Sequence, residues 1–262
     1  MSGDSRSHLN RSTQRRFKWI FLCVSGVLVV ILAPLVVSGE LRLELAHRLN
    51  LVPGREIEQL YDGSDAATLI TVPVRASSPS GRQEYRFRAV FIALETPGGV
   101  QLEFLDDDER ISLPLAEYDF YSASFDGTQV LVQDTSDPQD IKGVLVDMNT
   151  RTATPMPEDA PYPVDTPGDW QTGSWEAPVS FCGAISTQGT FITCLQEPKL
   201  ATYLAGDWEL QVRVYGSSED GVPVYRGRGL QPWVGWSRDD SRLYFQNEHG
   251  IWVAPVSIEM FS

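Results

Sequence analysis

The chain has 262 residues, 42% of them hydrophobic, with 21 basic against 35 acidic side chains and a formal net charge of −14. That is enough apolar material for a sizeable core, which excludes a wholly disordered chain, and the acidic balance disfavours nucleic acid as a partner. The charge is unevenly placed: residues 1–18 hold Arg6, Arg11, Arg15, Arg16 and Lys18 against Asp4, which leaves 16 basic and 34 acidic residues over 40–262, a balance of −18.

From Trp19 to Val37 nineteen residues carry no charge. As a helix at ~1.5 Å per residue they extend about 28 Å, close to the ~30 Å hydrocarbon core of a bilayer. The basic cluster on the N-terminal side, with Arg15, Arg16 and Lys18 at the boundary and Trp19 as an interfacial aromatic, is expected to stay cytoplasmic and leave the acidic body outside. The predicted organisation is a basic cytoplasmic tail over 1–16, a single-pass transmembrane signal-anchor over 17–39, a juxtamembrane helix and linker over 40–64, and an extracytoplasmic domain over 65–262. The expected location is a plasma membrane of the bacterial inner-membrane kind, with the C-terminal domain periplasmic or extracellular. A cleavable signal peptide is the competing reading, but its apolar stretch spans only about 7–15 residues. Cys23 sits near the start of the span, where no lipoprotein cysteine belongs.

Glu40 to Leu49 continues the helical pattern until Pro53-Gly54 ends it. Ser78-Pro79-Ser80-Gly81 then precedes an apolar run from Tyr85 to Leu94. Asp106-Asp107-Asp108-Glu109 lacks the spaced oxygen ligands and the glycine of a calcium loop, and reads as a solvated hairpin tip. Ser124-Phe125-Asp126-Gly127 leads into Gln129-Val130-Leu131-Val132, and Gly143 to Thr150 reads as a further strand ending in a polar turn.

Thr152 to Pro178 contains six prolines, and no central strand is expected there. Long loops in compact domains are uncommon and often functional. Trp170, Trp175 and Tyr162 are the partner-binding candidates in this one, the tryptophans being of the kind enriched in binding hot spots, and the alternative is that both tryptophans tuck back over the rim of the domain. Cys182 and Cys194 flank Ser186-Thr187-Gln188-Gly189. A three-residue loop centred on Gln188 sets the two cysteines opposite each other, so that a cross-strand disulfide is possible; a four-residue loop sets Cys182 opposite Thr193 instead. Two reduced core cysteines are the alternative.

The last copy is the fullest. Trp233 to Trp236 leads through Ser237-Arg238-Asp239-Asp240-Ser241 to the alternating run Arg242-Leu243-Tyr244-Phe245, read as a strand with one buried face, and then to Gly250-Ile251-Trp252-Val253-Ala254. The serine accepts a local backbone hydrogen bond, and the glycine, or Asp240 in its place, takes the positive φ that returns the chain. The first serines of the four copies step by 46, 62 and 51 residues. Such spacing implies a four-stranded module of roughly 45 residues, the size of a propeller blade.

These stretches, above all 230–256 and 120–150, resemble the repeat of TolB-type and other WD-repeat-like bacterial propellers, where an aromatic-Ser-x-Asp-Gly turn enters an apolar strand and the closing strand ends in Val-x-Asp. The resemblance implies an all-β fold, a small or incomplete β-propeller of about four blades, which would sit on the single N-terminal transmembrane helix that the apolar run predicts. An irregular β-sandwich whose hairpins share good turn residues is the alternative.

No catalytic constellation emerges. His8, His47 and His249 are too dispersed to converge on one metal or one triad, and there is no Gly-x-Ser-x-Gly elbow, phosphate loop or dinucleotide fingerprint. No cofactor or metal is expected. The sequence points to a non-catalytic, membrane-anchored accessory or scaffold protein, in contact with the lipid bilayer and with a protein partner in a membrane or envelope complex. The alternative is a small-ligand or glycan receptor or hydrolase that uses the propeller mouth; acids and aromatics converging on the axis would favour it.

Overall fold

The computed structural model describes residues 57–78, 80–124, 127–137, 142–156, 181–196, 208–228 and 232–261. The anchor residues Arg15, Arg16, Lys18 and Trp19 lie outside them, as do Tyr162, Trp170 and Trp175. Among the described residues no helix is long and apolar enough to cross a membrane, and the stretch expected to span it is not among those residues.

The described chain is all-β and falls into antiparallel four-stranded units. Unit I is β1 excepted and runs β2 (Ala67–Ser77), β3 (Gln83–Thr96), β4 (Gly99–Phe104) and β5 (Arg110–Leu113). Unit II is β6 (Tyr118–Ala123), β7 (Gln129–Asp134), β8 (Lys142–Asp147) and β9 (Thr152–Pro155). Unit III is β10 (Phe181–Ile185), β11 (Phe191–Gln196), β12 (Trp208–Val214) and β13 (Val222–Gly227). Unit IV is β14 (Trp233–Trp236), β15 (Arg242–Asn247) and β16 (Gly250–Pro255), completed by β1 (Glu58–Asp62), which pairs antiparallel with β16.

Three features depart from the sequence reading. β1 belongs to the body's sheet, so the domain begins before residue 65, with its first described strand paired antiparallel to β16. β9 occupies the head of the proline-rich stretch; it is an outer strand, where Pro155 removes no interior ladder bond. The strands expected to bury one face are in several cases buried on both. In β15, Leu243 and Phe245 face an aromatic cluster shared by units III and IV, while Tyr244 faces a cluster shared by units I and IV. Units I and IV are packed against neighbours on both sides, unit I against II and IV and unit IV against I and III, and the period-two pattern then decides which neighbour a side chain meets.

The same reasoning explains the buried run Arg88 to Ala93 in β3. Val90, Phe91 and Ala93 pack with Val130, Val132 and Val146 of unit II, whereas Ala89 and Ile92 pack with Tyr244 and Ile251 of unit IV. A bulge between Ile70 and Thr71 shifts the β2–β3 register and releases the Val90 carbonyl, which accepts the Leu105 amide at 3.1 Å.

The β2–β3 hairpin is longer than the unit it opens. Beyond the reach of β4, β3 forms parallel bridges from Arg88 to Trp236 and from Arg86 to Ile185, at the ends of β14 and β10. On the unit II side Val74 approaches Gly127 so closely that a Cβ there would lie 2.8 Å from its Cγ2. The first hairpin therefore runs along the middle of the molecule, with the turns of units II, III and IV gathered around it.

Candidate functional site

The four serine turns share one geometry. Ser78, Ser124, Ser186 and Ser237 each donate a backbone amide to the carbonyl of Arg82, Gln129, Phe191 and Arg242, respectively. Each also accepts from the turn: Gly81, Gly127, Gly189 and Asp240 send their amides to the serine carbonyls. The serine Oγ accepts a further amide four or five residues on, as from Arg82, Thr128, Thr190 and Arg242. The residues that return the chain have φ of 79°, 66°, 79° and 61°. Local hydrogen bonding and a left-handed position thus set all four hairpins, and Asp240 takes the place of glycine in the last.

Asp240 also reaches out of its own unit. Its carboxylate accepts the Ser186 hydroxyl at 2.6 Å and the amides of Gln188 and Thr190 at 2.8 and 3.2 Å, all from the unit III turn. Arg86 of the central hairpin donates to the Thr187 carbonyl at 3.4 Å, and Trp236 Nε1 donates to the Ala184 carbonyl at 3.0 Å. This end of the molecule is closed by hydrogen bonds between units.

The opposite end is open. Where β2, β6 and β14 begin, a cavity of about 630 Å³ lies between units I, II and IV, within the usual range for small-ligand sites. Tyr118, Phe120 and Trp233 supply aromatic surface, and Glu95 and Glu117 supply carboxylates at the rim. Much of the remaining polarity is already engaged: Trp233 Nε1 donates to Thr71 Oγ1 at 2.8 Å, and Gln246 accepts the Leu69 amide at 2.7 Å while donating to the Ala67 carbonyl at 3.1 Å. Burial, and secondarily the Glu95 charge, push the Tyr118 phenol up. Sequence reasoning missed these lining residues, because they come from three units and share no local motif.

The acidic run forms the β4–β5 hairpin tip with all four acids exposed, as expected, and two of them also make ion pairs. Asp106 pairs with buried Arg88 at 2.6 Å, and Asp107 accepts Arg151 of unit II at 2.7 Å. The Arg151 guanidinium also lies 4.4 Å from the centroid of the Phe104 ring. These contacts make the β4–β5 turn a tie between units I and II, with Arg151 holding the Asp107 carboxyl below its usual range. Among the described residues no group of three or more His, Cys, Asp and Glu side chains is placed to hold a metal ion.

Cys182 and Cys194 are bridged. They face each other directly, although Ser186 and Phe191 bracket a four-residue loop. A bulge between Cys182 and Ile185 supplies the one-residue shift that the longer loop requires.

No family model matches the chain, and no curated protein matches it. Among solved structures, a putative TolB from Agrobacterium tumefaciens is similar at 15% identity over 78% of this chain and 60% of that one, with a TM-score of 0.23. TolB from Acinetobacter baumannii is similar at 10% identity over 72% of this chain and 44% of that one, with a TM-score of 0.19. The chain thus spans less than two thirds of either, and both are of the TolB type that the turn motifs resemble.

Proposed function

We propose that the protein is a non-catalytic binding module held outside a membrane by the apolar segment at 17–39. In this reading units I to IV are the blades of a small propeller, closed by β1 completing the last blade. Support comes from the four equivalent turns at one end and from the packed clusters that join units I to II, I to IV and III to IV. The observation that carries the functional reading is the cavity at the other end. It sits where three blades converge, and it is large enough to take a segment of a partner protein.

Membrane confinement raises the local concentration of a neighbouring partner, so a modest contact suffices. The proline-rich loop with Tyr162, Trp170 and Trp175 offers a second contact surface in this proposal.

The experiment is purification of the full chain from its native membrane in mild detergent, with identification of co-purifying proteins. It is repeated with Thr68→Arg, which fills the cavity, and with Trp170→Ala/Trp175→Ala. A partner lost in Thr68→Arg supports the cavity as the recognition site. A partner lost only in the tryptophan variant moves the interface to the loop.

One observation favours a second reading, a small-ligand or glycan receptor or hydrolase: acids and aromatics do converge on the cavity. A chain that purifies alone and binds a neutral sugar saturably would select it.

A further inference from the structure

The cavity is unbalanced in charge. Its lining includes Glu95 and Glu117 and no arginine, lysine or histidine. Among the described residues neither carboxylate forms an ion pair or a side-chain hydrogen bond. Elsewhere in the body acids near cations are paired, as Asp106 is with Arg88 and Glu209 with Arg226. The two rim carboxylates come from different units, Glu95 from the end of β3 and Glu117 from the segment entering β6.

Between these carboxylates the wall is aromatic and aliphatic. Tyr118 and Phe120 meet edge to face at 5.6 Å between ring centroids, and Trp233 is fixed by its bond to Thr71. Ring faces attract cations, most strongly where water is displaced. A neutral sugar would need several donors and acceptors, and Thr71, Thr96 and Gln246 already bond within the protein, which leaves the lining hydroxyls to Thr68, Tyr118 and Thr135. A hard metal ion would need six or more oxygens. An alkyl chain ending in a delocalised or weakly hydrated positive charge satisfies both the wall and the rim.

We propose that the cavity binds an organic cation, an alkylammonium or guanidinium group on an apolar stem, with Glu95 and Glu117 as counter-charges and Tyr118, Phe120 and Trp233 as the wall. This rests on the reading of the cavity as the recognition site and names the group recognised there. The same chemistry is offered by a lysine or arginine side chain of a partner polypeptide and by a free polyamine.

The test uses the full chain in detergent, titrated with N-acetyl-lysine methylamide, N-acetyl-arginine methylamide, spermidine, glucose and Ca²⁺, and followed by calorimetry and tryptophan fluorescence. Saturable binding of a cationic probe, weakened at least tenfold in Glu95→Gln/Glu117→Gln and by added salt, is the expected result. Both positions are exposed and the replacement is isosteric, so an unchanged melting temperature shows that the variant is folded. Preference for the amino-acid amides over spermidine assigns a polypeptide source, and the reverse assigns a free polyamine.

Absence of binding by every cationic probe overturns the proposal, as does binding that the double variant leaves unchanged or binding of Ca²⁺ alone. If a partner still crosslinks to the cavity while the cationic probes fail, only the ligand class falls. If the partner docks elsewhere, the reading of the site falls with it.

Discussion

The Ser186 hydroxyl donates to the Asp240 carboxylate at 2.6 Å, joining the turn of unit III to the turn of unit IV. The serine oxygen at the same time accepts the amides of Thr190 and Phe191 at 3.0 and 2.9 Å, so one hydroxyl holds its own hairpin and its neighbour's. Asp240 is buried, with 3% of its surface exposed, and its φ of 61° is one that glycine would adopt at less cost. Asp240→Ala should cost about 3 kcal/mol, combining lost charge-assisted hydrogen bonds with a left-handed alanine. Asp240→Gly should recover about 1 kcal/mol of that, because only the hydrogen bonds are lost. Urea unfolding of the three proteins measures the order; a glycine variant more stable than the wild type would show that the bridge contributes nothing.

Asp239, beside it, behaves differently with pH. Hydrogen bonds from the hydroxyls of Ser237 and Ser241 and the Ser241 amide pull its carboxyl from 3.8 down to about 2. A folded-state value below the unfolded one means that the charged form stabilises the fold above pH ~4, and that this contribution is lost as pH falls through about 2. Asp239→Asn should therefore narrow its stability gap to the wild type between those two values and leave a constant gap above them. Acid titration of the unfolding free energy reads this directly; a gap independent of pH throughout the window would contradict it.

Gly235 lies where β14 meets unit I, and a Cβ there would sit 2.4 Å from Thr71 Cγ2 and 3.0 Å from Ala89 Cβ. Gly235→Ala should destabilise by about 1–3 kcal/mol through overpacking. Loss of the close approach should also disturb the Trp233 to Thr71 hydrogen bond at the cavity. Thermal unfolding and the fluorescence of the cavity tryptophan follow the two effects, and an unchanged melting temperature would mean that units I and IV separate more easily than the packing implies.

How much of this was legible in the sequence depends on how local the cause is. The four serine turns were, because the serine, the left-handed residue and the apolar run that follow one another fix the hairpin within a few residues. The central hairpin was not: nothing in Tyr85 to Leu94 shows that β3 will run past the ends of β10 and β14. Asp240 was recognised as a glycine substitute, whereas its bond to Ser186, 54 residues away, depends on the packing of two units. The cavity residues were missed for the same reason, since Glu95, Glu117 and Trp233 meet only when three units are assembled. The β1–β16 pairing spans nearly the whole body, and the short run Glu58 to Asp62 carries too weak an alternation to announce it.

Cys182 and Cys194 are 12 residues apart in sequence, and closing so short a loop constrains the unfolded chain by roughly 3 kcal/mol. Oxidised protein unfolded without reductant should take up no alkylating reagent at these two positions and should take up two equivalents after reduction. The reduced form should unfold at lower urea concentration. Mass spectrometry and an unfolding curve decide it, and two alkylated thiols in unreduced, denatured protein that was folded under oxidising conditions would contradict the bridge.

The central claim is that recognition takes place at the cavity between units I, II and IV. Site-specific photo-crosslinking of the full chain in cells tests it most directly, with a photoreactive residue placed at Thr68 in the lining or at Ile258 in the 3-10 helix Ile258–Phe261, where the residue is 57% exposed. Crosslinks to a discrete partner from position 68 and none from position 258 are the predicted result. Crosslinks from position 258 without any from position 68 would contradict it.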